Sequence, residues 1–447
     1  MKGADRKSSN PLSDSPSGVI GNSELPGIPL PVLDPELGRI KPPEGPRGGN
    51  SFQHEPRPRR YAYRNPWTVR LFRLLDSVCG RLFGKIRERP KTIERVLVMR
   101  PDHLGDFLFS LPALKALRDE LPDARIDVLV SPLARQLIPN NWKEWWGFAP
   151  LEFSAPWLQR PKKIRFGLRA TLGLTRLLRK RRRDLGGRYD LAIDLRGDFQ
   201  LILASRLAGA RYLVGKGHTG LGSLLDVEVD GAGGRHQVEM NLAHVESAGF
   251  EPRETTSPEL IPSKEEEGQG KSILRAQGVD GSKILIGMHV GAGQPTKLWG
   301  VDKYAELIRR IIAGRPSQVV LLGGPEDRAI TDDVLISLKG SRIEGRVFDL
   351  CGKLPDLRTF MMVAKQCALF VGNDSGPGHI AAALQVPVVS VFSGTNDPAE
   401  WGPRGPSVVI VRKRIECEGC GLTQCDHLSC MAELDIDAVY QAVRRCV

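Results

Sequence analysis

Two successive series of short, mostly apolar runs alternating with helical stretches dominate the chain. The first opens at Arg95-Val96-Leu97-Val98-Met99-Arg100 and passes through 125–130, 191–194 and Tyr212-Leu213-Val214. The second opens at 283–288 and passes through 319–322, 368–371 and 388–392. Apolar runs without polar alternation suit strands covered on both faces, and strands separated by helices pair in parallel. The pattern therefore predicts an α/β chain of two doubly wound, Rossmann-like domains facing a cleft. Such sheets bind ligands beyond the carboxyl ends of their strands. The loops that follow the strands are thus where chemistry is to be sought.

The boundaries follow from composition. Residues 1–60 are rich in Pro, Gly and Ser and are expected to form a disordered tail. Residues 61–92 are read as a basic amphipathic helix opened by Asn65-Pro66. Trp67, Leu71, Leu74, Val78, Leu82 and Ile86 fall on one stripe of it, which is expected to pack on the domain while the arginines stay solvated. A basic helix with Trp at its edge also suits a membrane interface. The first domain then covers 93–262, a linker 263–282, the second domain 283–434 and a final helix 435–447.

Charge is local. The 447 residues carry a net charge of +12. Between Arg57 and Lys91 stand 11 basic and 2 acidic residues, and between Arg160 and Arg183 stand 11 basic and no acidic ones. These two stretches exceed the net charge of the whole chain, so the remainder is negative. Patches of this kind suit an anionic surface or ligand. No aromatic stacking pattern accompanies the run Arg179-Lys180-Arg181-Arg182-Arg183, so specific nucleic-acid binding is not expected. No apolar run is long enough to span a bilayer, and no apolar segment follows Met1-Lys2-Gly3. A cytoplasmic, reducing location is expected, where the eight cysteines serve as thiols or metal ligands rather than disulfides. Cys417, Cys420, Cys425 and Cys430 could hold a structural zinc or remain free thiols.

Four turns at strand ends carry the candidate chemistry. In Arg100-Pro101-Asp102-His103-Leu104-Gly105-Asp106, a carboxylate at a helix start can take a proton from a hydroxyl nucleophile. Asp106 is the candidate, Asp102 and His103 are its rivals, and a plain helix cap is the simpler reading. In His289-Val290-Gly291-Ala292-Gly293-Gln294-Pro295-Thr296-Lys297, two glycines admit a diphosphate to the backbone and Lys297 can supply a charge to its oxygens. Leu322-Gly323-Gly324-Pro325-Glu326 offers a carboxylate, Glu326, for a ribose hydroxyl. Asn373-Asp374-Ser375-Gly376-Pro377-Gly378-His379 leaves backbone N–H groups free at a helix start, where a phosphate binds. No Asp-x-Asp lies at a strand end; Asp435-Ile436-Asp437 opens the last helix. No catalytic metal and no cofactor are expected.

Taken in order, Val96–Arg100, Leu104-Gly105-Asp106, Leu111-Pro112-Ala113-Leu114, Lys297-Leu298-Trp299, Gly323-Gly324-Pro325 and the 373–379 turn resemble the heptosyltransferase family, an inverting glycosyltransferase family of the GT-B fold. The resemblance runs from about Glu94 to the end. It implies transfer of a heptose from ADP-heptose to a lipopolysaccharide core or related anionic glycolipid, at the inner face of the membrane. It places the general base at Asp106 and the donor on Gly291, Gly293, Lys297, Glu326, Asp374, Ser375, Gly376 and His379. The first domain would receive the acceptor, through Asp102, His103, Arg165 and Arg169. The family commonly has small residues where Asp102 and His103 stand, which bears on acceptor preference. A different nucleotide-sugar, a protein acceptor, or a non-catalytic glycolipid-binding role are the alternatives.

Overall fold

The computed structural model describes residues 61–63, 65–83, 87–139, 147–158, 167–229, 235–252 and 257–447. The expected tail 1–60, Ile86 and Arg165 lie outside them. In the first half, α1 (Pro66–Phe83) precedes β1 (Arg95–Arg100), α2 (Leu104–Glu120), β2 (Arg125–Val130), β3 (Phe148–Glu152), α3 (Leu168–Asp184), β4 (Leu191–Asp194), α4 (Phe199–Ala208), β5 (Tyr212–Gly215), β6 (Val227–Glu228) and α5 (Gln237–Ser247). In the second, α6 (Lys264–Ala276) precedes β7 (Ile284–His289), α7 (Val301–Gly314), β8 (Ser317–Leu321), α8 (Arg328–Leu338), β9 (Val347–Asp349), α9 (Leu357–Ala364), β10 (Leu369–Asn373), α10 (Gly376–Ala383), β11 (Val388–Phe392), β12 (Val408–Arg412) and α11 (Ile436–Cys446). Both sheets are parallel, ordered β3-β2-β1-β4-β5-β6 and β12-β11-β10-β7-β8-β9. This is the GT-B architecture of two facing doubly wound domains.

Strand β1 shows why the apolar runs become central strands. Val96 and Val98 enter the core under α2 and α5, while Leu97 and Met99 enter the opposite core under α3 and α4. With both faces buried, the middle of the run is apolar, and a charge in such a strand needs a partner, as Asp127 of β2 has in Arg181. The first of these cores continues into the second half through Phe370 of β10 and Ile380–Leu384 of α10. The two halves therefore share buried surface beside the cleft.

Strand order reverses between β1 and β4 in one sheet and between β7 and β10 in the other. The loops leaving these four strands are 101–103, 195–198, 290–300 and 374–375, which sets the site.

Two expectations are corrected. The segment 263–282 carries helix α6 instead of running as a linker. Ser263 accepts from the Glu266 backbone N–H (3.2 Å), and the Glu266 side chain accepts from the Ser263 N–H (2.7 Å). This reciprocal cap starts a helix, and Glu265, Glu266 and Glu267 sit in its first turn, where negative charge suits the helix dipole. Arg358 of α9 then grips Glu266 at 2.7 and 2.8 Å. The second correction concerns α1. Its leucine stripe faces outward, and it packs through Phe72 and Asp76 instead.

Candidate active site

Asp106 lies in the first turn of α2. Its Oδ1 accepts from Arg100 NH2 at 3.0 Å, and His103 Nδ1 stands 3.6 Å from Oδ2. Burial alone would raise this carboxyl, but the Arg100 guanidinium, with His103 and Arg196, outweighs burial and holds it at about 2. Asp106 is therefore ionised at neutral pH. Asp102 is different. It is buried, with Arg100 Nε 3.2 Å from Oδ1 and Arg196 NH1 2.7 Å from Oδ2. Its carboxylate ties the loop after β1 to the loop after β4. His103 is exposed at the start of α2 and makes no side-chain cap.

The first half also holds two cations that no sequence pattern singles out. Arg196 follows β4, and Lys216 follows β5. Burial lowers the Lys216 ammonium to about 8, with Arg100 adding to the shift and Asp194 opposing it. Asp194 accepts from the backbone N–H groups of Arg196, Gly197 and Asp198 at 2.9–3.1 Å, which shapes the loop that carries Arg196. Arg169 begins α3 and is exposed. The basic run after it lies elsewhere. Arg179 and Arg182 donate to the carbonyls of Leu207 and Ala208 at the end of α4, and Arg181 pairs with Asp127. A crossover helix runs against its strands, so this run sits at the far end of the sheet from the cleft.

Across the cleft, Lys297 Nζ reaches Asp374 Oδ2 at 2.5 Å, and Asn396 Nδ2 donates to the same oxygen at 3.2 Å. His379 Nε2 stands 3.8 Å from Asp374 Oδ1. Burial raises the Asp374 carboxyl, but His379 and Lys297 together bring it below its ordinary value. Asn373 braces the turn: its amide donates to the Val290 and Gly291 carbonyls, and its oxygen accepts from Tyr304. Ser375 caps the start of α10 without a side-chain cap bond; Gly378 N–H donates to the Ser375 carbonyl at 3.1 Å and Pro377 has no N–H, so Gly376 carries the first-turn N–H that could meet an anion. Its Oγ instead stands 3.1 Å from His289 Nδ1, whose Nε2 lies 3.0 Å from Asp327 Oδ2.

His289 and Asp327 were not singled out in the sequence. Glu326 was, yet its side chain is exposed and folds back over Gly324, whereas Asp327 is buried. The pairing shows itself only in three dimensions. A Cβ on Gly291 would lie 1.9 Å from Asp327 Oδ1, so that glycine exists to admit the carboxylate. Gly293 has nothing within 4 Å of such a Cβ, leaving open space for a ligand against the backbone.

The two helix starts meet. A Cβ on Gly105 would stand 3.4 Å from His379 Cδ2, and one on Gly376 would stand 3.1 Å from Leu104 Cδ2. Phe109 of α2 is edge-on to His379 at 5.0 Å and to His236 at 4.9 Å. His236 in turn bonds the Gly402 carbonyl at 2.9 Å. The positive ends of α2 and α10 thus converge, with Asp106 on one and the Lys297–Asp374 pair beside the other. Among the described residues no three His, Cys, Asp or Glu side chains are arranged to hold a metal ion. Cys417, Cys420, Cys425 and Cys430 form no disulfide. Asp435 caps α11 by accepting from Asp437 N, as its place in the sequence suggests.

Comparison with known proteins bears on the family and the fold. The model of glycosyltransferase family 9 (heptosyltransferase) matches residues 178–430, more than half of the chain. Lipopolysaccharide heptosyltransferase 3 of Escherichia coli (strain K12) is 28% identical over 313 residues, covering 68% of this chain and 84% of the relative. The structure of E. coli ADP-heptose lps heptosyltransferase II superposes with a TM-score of 0.63 at 23% identity, covering 79% of this chain and 98% of that one. The family 9 glycosyl transferase from Veillonella parvula DSM 2008 gives a TM-score of 0.66 at 20% identity, covering 80% and 99%.

Proposed function

Because the chain belongs to glycosyltransferase family 9, the heptosyltransferases, we propose that it transfers a heptose from ADP-heptose, with inversion, to a lipopolysaccharide core or related anionic glycolipid. The observation that carries this reading is the convergence of α2 and α10, which brings a carboxylate base and an anion cradle to one crevice. Two similar proteins support the choice of substrates: the E. coli relative is named for lipopolysaccharide, and the E. coli structure for ADP-heptose.

In this mechanism the diphosphate lies over Gly291 and Gly293 against the start of α10. An acceptor hydroxyl attacks the anomeric carbon from the Asp106 side. The new C–O bond forms as the bond to the β-phosphate oxygen breaks, and Asp106 takes the hydroxyl proton. ADP leaves with the electron pair. Lys297 and the N–H groups at Ser375 and Gly376 stabilise its added charge. These groups suffice for a metal-independent reaction in this reading.

Asp106 held at about 2 is a weak base while Arg100 grips it. An anionic acceptor that engages Arg100, Arg196 and Lys216 would compete for that guanidinium and raise the proton affinity of Asp106. The acceptor's charge would thereby switch on the base. Asp102 serves here as the brace between Arg100 and Arg196 rather than as a direct acceptor ligand.

The reading also places the protein in the cytoplasm, at the inner membrane face where a lipid-linked acceptor is presented. No helix among the described residues is long and apolar enough to cross a membrane. A panel of nucleotide-sugars tests the donor: ADP-heptose should raise the melting temperature most. If a uridine or guanosine diphosphate sugar stabilises the protein and ADP-heptose does not, the donor assignment fails.

A further inference from the structure

We propose that α1 is a docking helix for an anionic lipid bilayer. The helix lies outside residues 178–430 matched by the family model, and none of the chemistry above uses it. Its buried side is narrow. Phe72 stacks with Tyr63 and meets Phe199 edge-on at 4.9 Å. Asp76 accepts from Tyr61 Oη (2.7 Å) and from the backbone N–H groups of Leu221 (3.1 Å) and Ser223 (2.8 Å).

The opposite side is apolar and faces outward. Trp67 is 72% exposed, Leu74 62% and Leu82 68%, with Leu71, Leu75 and Val78 between them. At 3.6 residues per turn these six fall on one continuous sector. Arg70, Arg73 and Arg81 run along one edge of that sector, and the Arg70 guanidinium lies 5.1 Å from the Trp67 ring centre. A soluble helix buries such a sector; this one buries the sector that holds its sole carboxylate.

Charge selects the occupant. The exposed side of α1 carries arginines and no carboxylate. A second copy seated antiparallel on it by two-fold symmetry would set those arginines beside their own counterparts. An anionic bilayer instead offers phosphates at the arginine level and acyl chains beneath for the leucines, with Trp67 at the boundary. The placement also suits a lipid-linked acceptor. Ala62 N donates to the His218 carbonyl (2.7 Å) and Tyr63 Oη to the Thr219 carbonyl (2.9 Å). The start of α1 is thereby fixed to the loop after β5, on the same rim as Lys216. The inference stands on the helix itself; only its link to transfer rests on the function proposed above.

The test is sedimentation of the full chain with vesicles of phosphatidylcholine alone or mixed with phosphatidylglycerol. The variants are Leu74→Ser/Leu82→Ser, which adds no charge, and Arg70→Glu/Arg73→Glu. The expected result is binding to the mixed vesicles only, weakened by salt, and weakened by roughly tenfold or more in each variant. All four side chains are exposed, so melting temperatures should be unchanged. Undiminished binding by either variant, or no binding by the parent chain, overturns the inference. So does a dimer that the leucine variant turns into a monomer while vesicle binding persists. Transfer to a water-soluble, delipidated acceptor is measured in parallel and should not change in the variants. Loss of that transfer in the parent chain itself would count against the proposed function and leave the vesicle result standing.

Discussion

Lys297 and Asp374 form a buried ion pair across two strand-end loops, with Nζ 2.5 Å from Oδ2. The ammonium proposed to meet the donor diphosphate is thus held by a carboxylate from the turn that cradles the same diphosphate. Each charge needs the other while the site is empty. Lys297→Ala leaves the buried Asp374 with only Asn396 and His379 as partners, and should lower stability by about 1–3 kcal/mol as well as slow transfer. Lys297→Met/Asp374→Asn removes both charges and should regain most of the melting temperature without regaining activity. Thermal unfolding and a transfer assay on the three proteins check this; equal melting temperatures throughout would contradict the pairing.

Asp106→Asn keeps the shape of the α2 start and removes the proposed proton acceptor. Transfer should fall by about 10²–10⁴-fold, the usual contribution of a positioned base. ADP affinity, measured by calorimetry, should stay within a factor of about two, because Asp106 stands on the acceptor side.

The two glycines after β7 should behave differently. Gly291→Ala drives a methyl into Asp327 Oδ1 and disrupts the Asp327–His289–Ser375 chain. A loss of about 2–4 kcal/mol is expected, in the range of overpacked cores and broken buried polar networks. Gly293→Ala meets nothing and should melt like the parent. If Gly293 lies under the diphosphate as proposed, its alanine variant should still weaken ADP binding, which separates a ligand contact from a folding defect.

Acid should destabilise the protein through three histidines. Burial is the first cause that lowers His218 and His236 to about 4 and His244 to about 3, from 6.5. The folded state resists protonation that the unfolded chain accepts. Their stabilisation is complete above pH 6.5 and is lost as pH falls toward 4. Each contributes a slope of up to about 1.4 kcal/mol per pH unit inside that window. Denaturant unfolding from pH 7 to 4.5 measures it. His244→Phe, at a fully buried position, should flatten the curve, and an unchanged slope would exclude His244 from the effect.

The sequence by itself determined the two parallel sheets. Strands buried on both faces read as largely apolar runs, and the helices between them leave parallel pairing as the simple outcome. It also exposed the strand-end turns that hold Asp106, Gly291, Lys297 and the 373–379 segment, because turns at a cleft need glycine and small polar residues at fixed places. The cap that starts α6 was readable as Ser263 with Glu266 three residues on, although acidic composition suggested a linker. Other features depend on residues far apart in the chain. Asp102 bridges Arg100 and Arg196, which lie 96 positions apart, one at the end of β1 and one in the loop after β4. His289 meets Ser375 only because β7 and β10 are neighbours. The outward leucine face of α1 was likewise beyond sequence reading. Periodicity shows that a helix has two sides, and only packing decides which one the protein buries.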